Sequence, residues 1–332
     1  MRARRRNLSA HASRTFLTKM VCLALAGGVG GARMAHGLSM VLHPKDLIIA
    51  VNVGDDFTHL GLRICPDLDT VMYTLAGLAN PETGWGIEDE TWNVMNSIKK
   101  LGGPDWFALG DRDLATHLER TRQLAAGTKH SDVTKSLCHR LDIAHKIVPI
   151  SEQAIPTIVE TAEGDLSFQE YFVKQKCKPR VTGVRFAGAT EAGLSHPLRH
   201  AIDAGEIDCV ICCPSNPFLS IDPILALPEM RELLTTALPV VAISPIVGGR
   251  AIKGPAAKLM REFGLPLSTL GIAAHYSGII NGIVIDTADE ADVLALRESG
   301  LKVLLTDTVM TTDEVRETLA RQVLTFVRSL HG

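Results

Sequence analysis

Leu23-Ala24-Leu25-Ala26-Gly27-Gly28-Val29-Gly30-Gly31-Ala32-Arg33 decides the fold class of this chain. An apolar run of strand character enters a glycine cluster, and a helical pattern, Ala32–Leu42, follows it. Gly27, Gly28, Gly30 and Gly31 carry no side chain to hold a ligand away from the backbone. Glycine also accepts the positive φ angles that turn successive N–H groups into one concavity. The positive end of the following helix dipole adds to the attraction for an anion, most simply a phosphate or diphosphate. Arg33 supplies a charged fork at the same place. The spacing fits neither common fingerprint. G-x-G-x-x-G matches Gly28 and Gly30 but meets Arg33 at its third glycine, and the lysine of a P-loop is missing. A strand-to-helix turn without a ligand gives a similar pattern, so the cluster takes its meaning from the rest of the chain.

Outward from this motif, apolar β-branched runs alternate with amphipathic stretches. Strands are expected at Val21–Ala26, Leu47–Val53, Lys146–Ile150, Val181–Arg185, Cys209–Cys213, Val240–Ser244, Gly282–Ile285 and Val303–Leu305. Helical periodicity lies between many of them and closes the chain from Thr312 to about Leu330. Such alternation predicts an α/β fold with a doubly wound, mostly parallel, Rossmann-like sheet. A largely helical insertion is expected over about residues 68–141, and Thr157–Val173 reads as a small antiparallel excursion.

The 332 residues are 46% hydrophobic and 21% charged, enough for a large core. A net charge of −3 gives no sign of nucleic-acid binding. No uncharged apolar run reaches the roughly 18 residues needed to span a bilayer. Cys209, Cys212 and Cys213 lie in a continuous apolar run, so they read as small hydrophobes in a buried strand rather than as metal ligands. Residues 1–19 are basic and free of acids, and read as a leader preceding a single domain over 20–332.

In an open parallel sheet, ligands bind beyond the carboxyl ends of the strands. Polar residues collect there: Asn52, Asp55 and Asp56 after the second strand, Ser215 and Asn216 after Cys209–Cys213, and Gly248, Gly249 and Arg250 after Val240–Ser244. Carboxylates also cluster as Asp67 with Asp69 and as Asp111 with Asp113. Carboxylates near a phosphate site suit Mg²⁺, a hard cation, or orient a hydroxyl nucleophile. The same acids also serve as helix caps, and that alternative stays open for Asp67, Asp69 and Asp111. Trp85, between two glycines, suits either a planar ligand or the core.

The strings AGGVGGAR (26–33), VNVGDDF (51–57), GLRICPDLDTVMYTLAG (61–77), GWGIEDETWN (84–93), PDWFALGDRDLATHL (104–118), PSNPFLSIDPILA (214–226) and SPIVGGRAIKGPA (244–256) occur in this order. Together they resemble the 2-phospho-L-lactate transferase family of coenzyme F420 biosynthesis, from about Met20 to near the C-terminus. The resemblance implies transfer of a phospholactyl-type group (2-phospholactate, phosphoenolpyruvate or phosphoglycerate) from a guanosine diphosphate-linked donor. The acceptor would be the terminal ribityl hydroxyl of the deazaflavin Fo, with GMP released and Mg²⁺ required. By the same resemblance, Gly27, Gly28, Gly30, Gly31, Arg33, Ser215 and Asn216 would hold the donor. Asp55, Asp56 and Asp69 would serve Mg²⁺ and the attacking hydroxyl, with Asp67 and Asp111 as second choices. Asp67, Asp69 and Trp85 would face Fo. A cytoplasmic homodimer with no nucleic-acid or membrane partner completes the expectation. The alternative is a YvcK-like regulatory protein that binds nucleotide-sugars on a similar glycine loop.

Overall fold

The computed structural model describes residues 20–252 and 254–330; the basic leader, residues 1–19, lies outside them. Seven parallel strands form the central sheet: β1 (Cys22–Ala26), β2 (Leu47–Val51), β3 (Lys146–Pro149), β4 (Cys209–Cys212), β5 (Val240–Ile243), β6 (Gly282–Asp286) and β7 (Lys302–Thr306). Their order is β7-β6-β5-β4-β1-β2-β3. Every residue of β1 and β2 is buried, as expected of strands covered on both faces. The register places Cys22 beside Leu47 on one side and beside Cys209 on the other. Cys209, Cys212 and Cys213 are free and buried, and burial pushes the Cys212 thiol up to about 12.

The chain winds outward from β1 in one direction to β3, then returns to β4 and winds the other way. This reversal leaves a crevice between the carboxyl ends of β1 and β4, the place where doubly wound sheets bind ligands. The glycine loop follows β1 and the Pro214-Ser215-Asn216 turn follows β4, so two sequence-flagged loops flank the crevice.

Helix α1 (Gly28–Val41) starts a full turn before the expected Ala32. Glycines are poor helix formers, but here the Pro214 carbonyl and the Ser215 hydroxyl leave Gly30 and Gly31 no room for a side chain. It packs against α2 (Pro66–Leu75) and against the C-terminal helix Asp313–Arg328, with Gly37 facing the Arg316 carbonyl. Val181–Phe186 corrects a second expectation: it pairs antiparallel with Thr157–Thr161, which pairs with Gly164–Ser167, and so stays out of the central sheet.

The helical insertion contains α3 (Asn93–Lys100), α4 (Asp111–Ala125) and α5 (His130–Arg140). A separate small core of Ile64, Met95, Leu109 and Leu114 holds α3 and α4 together. Helix α2 and Val133, Leu137 and Cys138 of α5 belong to the main core, so the separately packed part is narrower than 68–141. Among the described residues, no helix is long and apolar enough to cross a membrane.

Candidate active site

The glycine loop meets its neighbours at close range. Ser215 Oγ accepts from the Gly27 amide at 3.1 Å. A Cβ on Gly30 would fall far inside contact with the Pro214 carbonyl oxygen, and one on Gly31 would strike Ser215 Oγ. A Cβ on Gly27 would strike Asp67 Oδ2. Only Gly28 of the four has a positive φ, +59°, and the space beyond it is open. Three of the glycines are therefore required by packing, and one by backbone conformation. Gly30→Ala is expected to destabilise the fold by about 1–3 kcal/mol, as overpacking does. Urea unfolding checks this, and an unchanged midpoint and slope would show that the Pro214 turn moves aside freely.

At the first turn of α1, the Gly28 amide donates to Asp67 Oδ1 at 2.7 Å. The amides of Val29 and Gly30 donate to no protein atom among the described residues. A helix N-terminus with amides left over favours an anion. Arg33 lines the same space and donates to the Met310 carbonyl at 3.3 Å. Asn216 caps its own turn by accepting from the Phe218 and Leu219 amides, while its buried Nδ2 finds no protein partner among the described residues.

Asn52 organises the acids beside α1. Its Nδ2 donates to Asp55 Oδ1, to Asp67 Oδ2 at 3.0 Å and to the Leu219 carbonyl at 3.2 Å. Its Oδ1 accepts from the Gly54 amide at 2.7 Å, which fixes the orientation of the amide. Burial first, and then the charges of Asp67 and Asp56, push the Asp55 carboxyl well above the usual carboxylate range. Burial also raises Asp67, to about 6, against the hydrogen bonds from Asn52, Gly28 and Ser220. No guanidinium or ammonium is among the main causes of either shift, and neither carboxylate forms an ion pair among the described residues. Two adjacent buried carboxylates without a cationic partner are the donor set that a divalent cation satisfies.

Asp56 points the other way. Its Oδ2 accepts from Arg63 at 3.1 Å, and it groups with Cys65 and His130 behind the cavity wall. Burial raises it to about 7, with Arg63 opposing. Asp69 is drawn to a third place. Arg120 of α4, only 1% exposed, grips both of its oxygens, one of them at 3.0 Å. Asp55, Asp56 and Asp69 therefore do not converge on one point. Asp55 converges with Asp67 instead, while each of the other two already has a guanidinium.

Around Asp69 lies a network that its local sequence does not announce. Arg120 Nη1 also donates to His117 Nδ1 at 3.2 Å, and His117 Nε2 lies 3.2 Å from Asp113 Oδ2. The Tyr73 hydroxyl donates to Asp113 Oδ1 at 2.7 Å. Asp111 takes no part. It sits at the start of α4, yet it accepts from the Asn93 and Val94 amides and so caps α3. Glu90 returns the favour by accepting from the Arg112 and Asp113 amides. These paired caps lock the 84–93 string onto α4.

All of this opens on one cavity of about 650 Å³. Gly27, Gly28, Gly30, Arg33, Ser215 and Asn216 line it together with Asp55, Asp67, Asp69 and Asp113. Gly31 and Asp56 are absent from its wall. Trp85, 53% exposed, stands at the wall with Trp106 and Phe107, and Phe168 and Phe172 stack on each other at 5.3 Å from the antiparallel excursion. Of these aromatics Trp85 is marked by its flanking glycines, and Trp106 and Phe107 lie in the 104–118 string, while Phe168 and Phe172 lie in none of the quoted strings.

Comparison with known proteins agrees with this architecture. Residues 22–324 match the family model described as 2-phospho-L-lactate transferase CofD. A phosphoenolpyruvate transferase of Kitasatospora aureofaciens is 39% identical over 94% of this chain and all of its own length. A 2-phospho-L-lactate transferase of Methanosarcina mazei is 36% identical over 91% of this chain and 99% of its own. A crystal structure of a UPF0052-family protein from Bacillus halodurans shares the fold, with a TM-score of 0.61 over 93% of this chain and 99% of its own, at 14% identity. By its family match and by relatives that align along nearly its whole length, the chain belongs to the 2-phospho-L-lactate transferase family of coenzyme F420 biosynthesis.

Proposed function

We propose that the cavity joins a guanosine diphosphate-linked three-carbon acid to the deazaflavin Fo. The observation that carries this reading is the meeting, in one chamber, of unused helix amides, an uncompensated carboxylate pair and an aromatic wall. The amides of Val29 and Gly30, with Arg33, would take the donor diphosphate. Asn216 Nδ2 would meet the guanosine end. Trp85, Trp106 and Phe172 offer faces for a large planar ring, as aromatic pairs favour. The terminal ribityl hydroxyl would then attack the phosphorus bearing the three-carbon acid. As the new O–P bond forms, the P–O bond to GMP breaks, GMP leaves with the electron pair, and the hydroxyl gives up its proton.

Asp55 and Asp67 fit Mg²⁺, because neither has a cationic partner among the described residues. When bound there, the ion would offset charge on the diphosphate oxygens. Asp67 would keep its hydrogen bond to Gly28 and so tie the ion to the glycine loop. Catalysis of this kind is mostly positioning and charge stabilisation. It suits a site whose polar groups sit on buried, mutually bonded elements.

Titration calorimetry separates this reading from a nucleotide-sugar regulator. Fo and GDP with Mg²⁺ are each expected to bind, and UDP-sugars are expected not to compete with GDP. Tight UDP-sugar binding without Fo binding would overturn the transferase reading.

A further inference from the structure

We propose that Asp113 binds a hydroxyl of the acceptor's polyol chain and so sets specificity for the acceptor; this rests on the transferase reading above. Three carboxylate groupings lie in or behind the cavity wall. Asp55–Asp67 lacks a cation, and Asp56 and Asp69 are held by Arg63 and Arg120. Asp113 differs from all of these. Burial would raise its carboxyl, but His117, Tyr73 and Arg120 outweigh burial and hold it below the usual range. It stays ionised through the Tyr73 hydrogen bond and the nearness of His117 and Arg120, while its side chain keeps 15% exposure at the cavity.

The geometry at His117 fixes which atom is on offer. Arg120 can only donate, so His117 Nδ1 accepts, and a neutral ring carries its proton on Nε2. That Nε2 lies 3.2 Å from Asp113 Oδ2, is buried in a residue only 1% exposed, and makes no hydrogen bond among the described residues. Tyr73 fills Asp113 Oδ1. Asp113 Oδ2 therefore keeps lone pairs for a donor arriving from the cavity. Tyr73 is a positioning residue that aims this carboxylate.

The chemistry of the expected donor follows from the surroundings. Asp113 stands in the first turn of α4, shortly after Phe107 and Leu109, which line the same cavity. Its side-chain neighbours, Tyr73 and His117, belong to α2 and α4, whereas the Val29–Gly30 amides and Arg33, which attract anions, belong to α1. A carboxylate next to aromatic faces suits a neutral hydroxyl donor attached to a planar ring. A polyol chain running from the ring toward the carboxylate pair matches that arrangement.

The test compares wild type with Asp113→Asn and Tyr73→Phe, using Fo and an Fo analogue whose side chain keeps only its terminal hydroxyl. Asp113→Asn is expected to raise the KM for Fo by about 10- to 100-fold, the range for losing a hydrogen bond to a charged group. The KM for the donor and the Mg²⁺ dependence should stay within about twofold, the scatter of uncoupled sites. The variant should also lose most of the wild-type preference for Fo over the analogue. Tyr73→Phe should move the same quantities in the same direction by less. An unchanged Fo KM, or equal losses with Fo and the analogue, would overturn the hydroxyl site. Absence of any Fo-dependent GMP release by wild type would instead overturn the transferase reading itself.

Discussion

Asp55→Asn is expected to lower turnover by about 10²-fold or more, the scale of losing a positioned catalytic group. It should also raise the Mg²⁺ concentration needed for half-maximal activity. Stability should move the other way. Asp55 titrates above its unfolded value, so the folded state binds more protons than the unfolded state once pH passes the ordinary carboxylate range. Keeping Asp55 ionised therefore costs stability as pH rises. Without Mg²⁺, the Asn variant should melt above wild type at pH 8, with the gap closing as pH falls toward about 4, the ordinary aspartate value. Added Mg²⁺ should raise the wild-type midpoint and narrow the gap, because an ion that binds only the folded state stabilises it. Melting curves at several pH values, with Mg²⁺ or with a chelator, check both signs. A variant less stable than wild type at pH 8 with chelator would mean that Asp55 is held by the fold and not by a cation.

Arg120→Met should give the largest loss of stability, about 3–5 kcal/mol, the cost of leaving one partner of a buried ion pair unpaired. Arg120 serves Asp69 and His117 from a position with almost no solvent contact. Asp69 would be left buried with no guanidinium. Asp69→Asn in the same chain should restore part of the loss, because it removes the stranded charge. Denaturant unfolding of the two single variants and the double variant measures the coupling. Simple additivity would contradict the pair's central place in holding α4 to α2.

The sheet was legible because its strands are short, apolar and bounded by turn residues. Seven of the eight expected strands fall in the parallel sheet, with ends shifted by a residue or two. Val181–Phe186 misled because a β-branched run carries no mark of whether its neighbours run parallel or antiparallel. The start of α1 misled for another reason. Propensity argues against Gly28, Gly30 and Gly31 in a first turn, while contact with Pro214 and Ser215 demands Gly30 and Gly31 there and a positive φ favours Gly28.

The site was legible in part. The glycine loop, the Pro214-Ser215-Asn216 turn, Asp55, Asp67 and Trp85 do share one cavity. Adjacent acids proved hardest to separate by eye. Asp55 and Asp56 are neighbours in sequence, but one faces Asn52 and the other Arg63. Asp69 looked free because its partner, Arg120, sits 51 positions away on another helix. Asp111 looked like a site residue and caps α3 instead. Asn52 was quoted for its place after β2, yet its part in joining Asp55 to Asp67 appears only when three segments meet.

The central claim is the identity of the transferred group and the atom that receives it. The direct measurement incubates the chain with Mg²⁺, Fo and each guanylylated three-carbon acid, then examines the product by mass spectrometry and phosphorus NMR. The account predicts one Fo-derived product, a phosphodiester on the terminal ribityl hydroxyl, with one GMP released for each product formed. GDP release, phosphate transfer without the three-carbon acid, or no Fo product with any of the donors would contradict it.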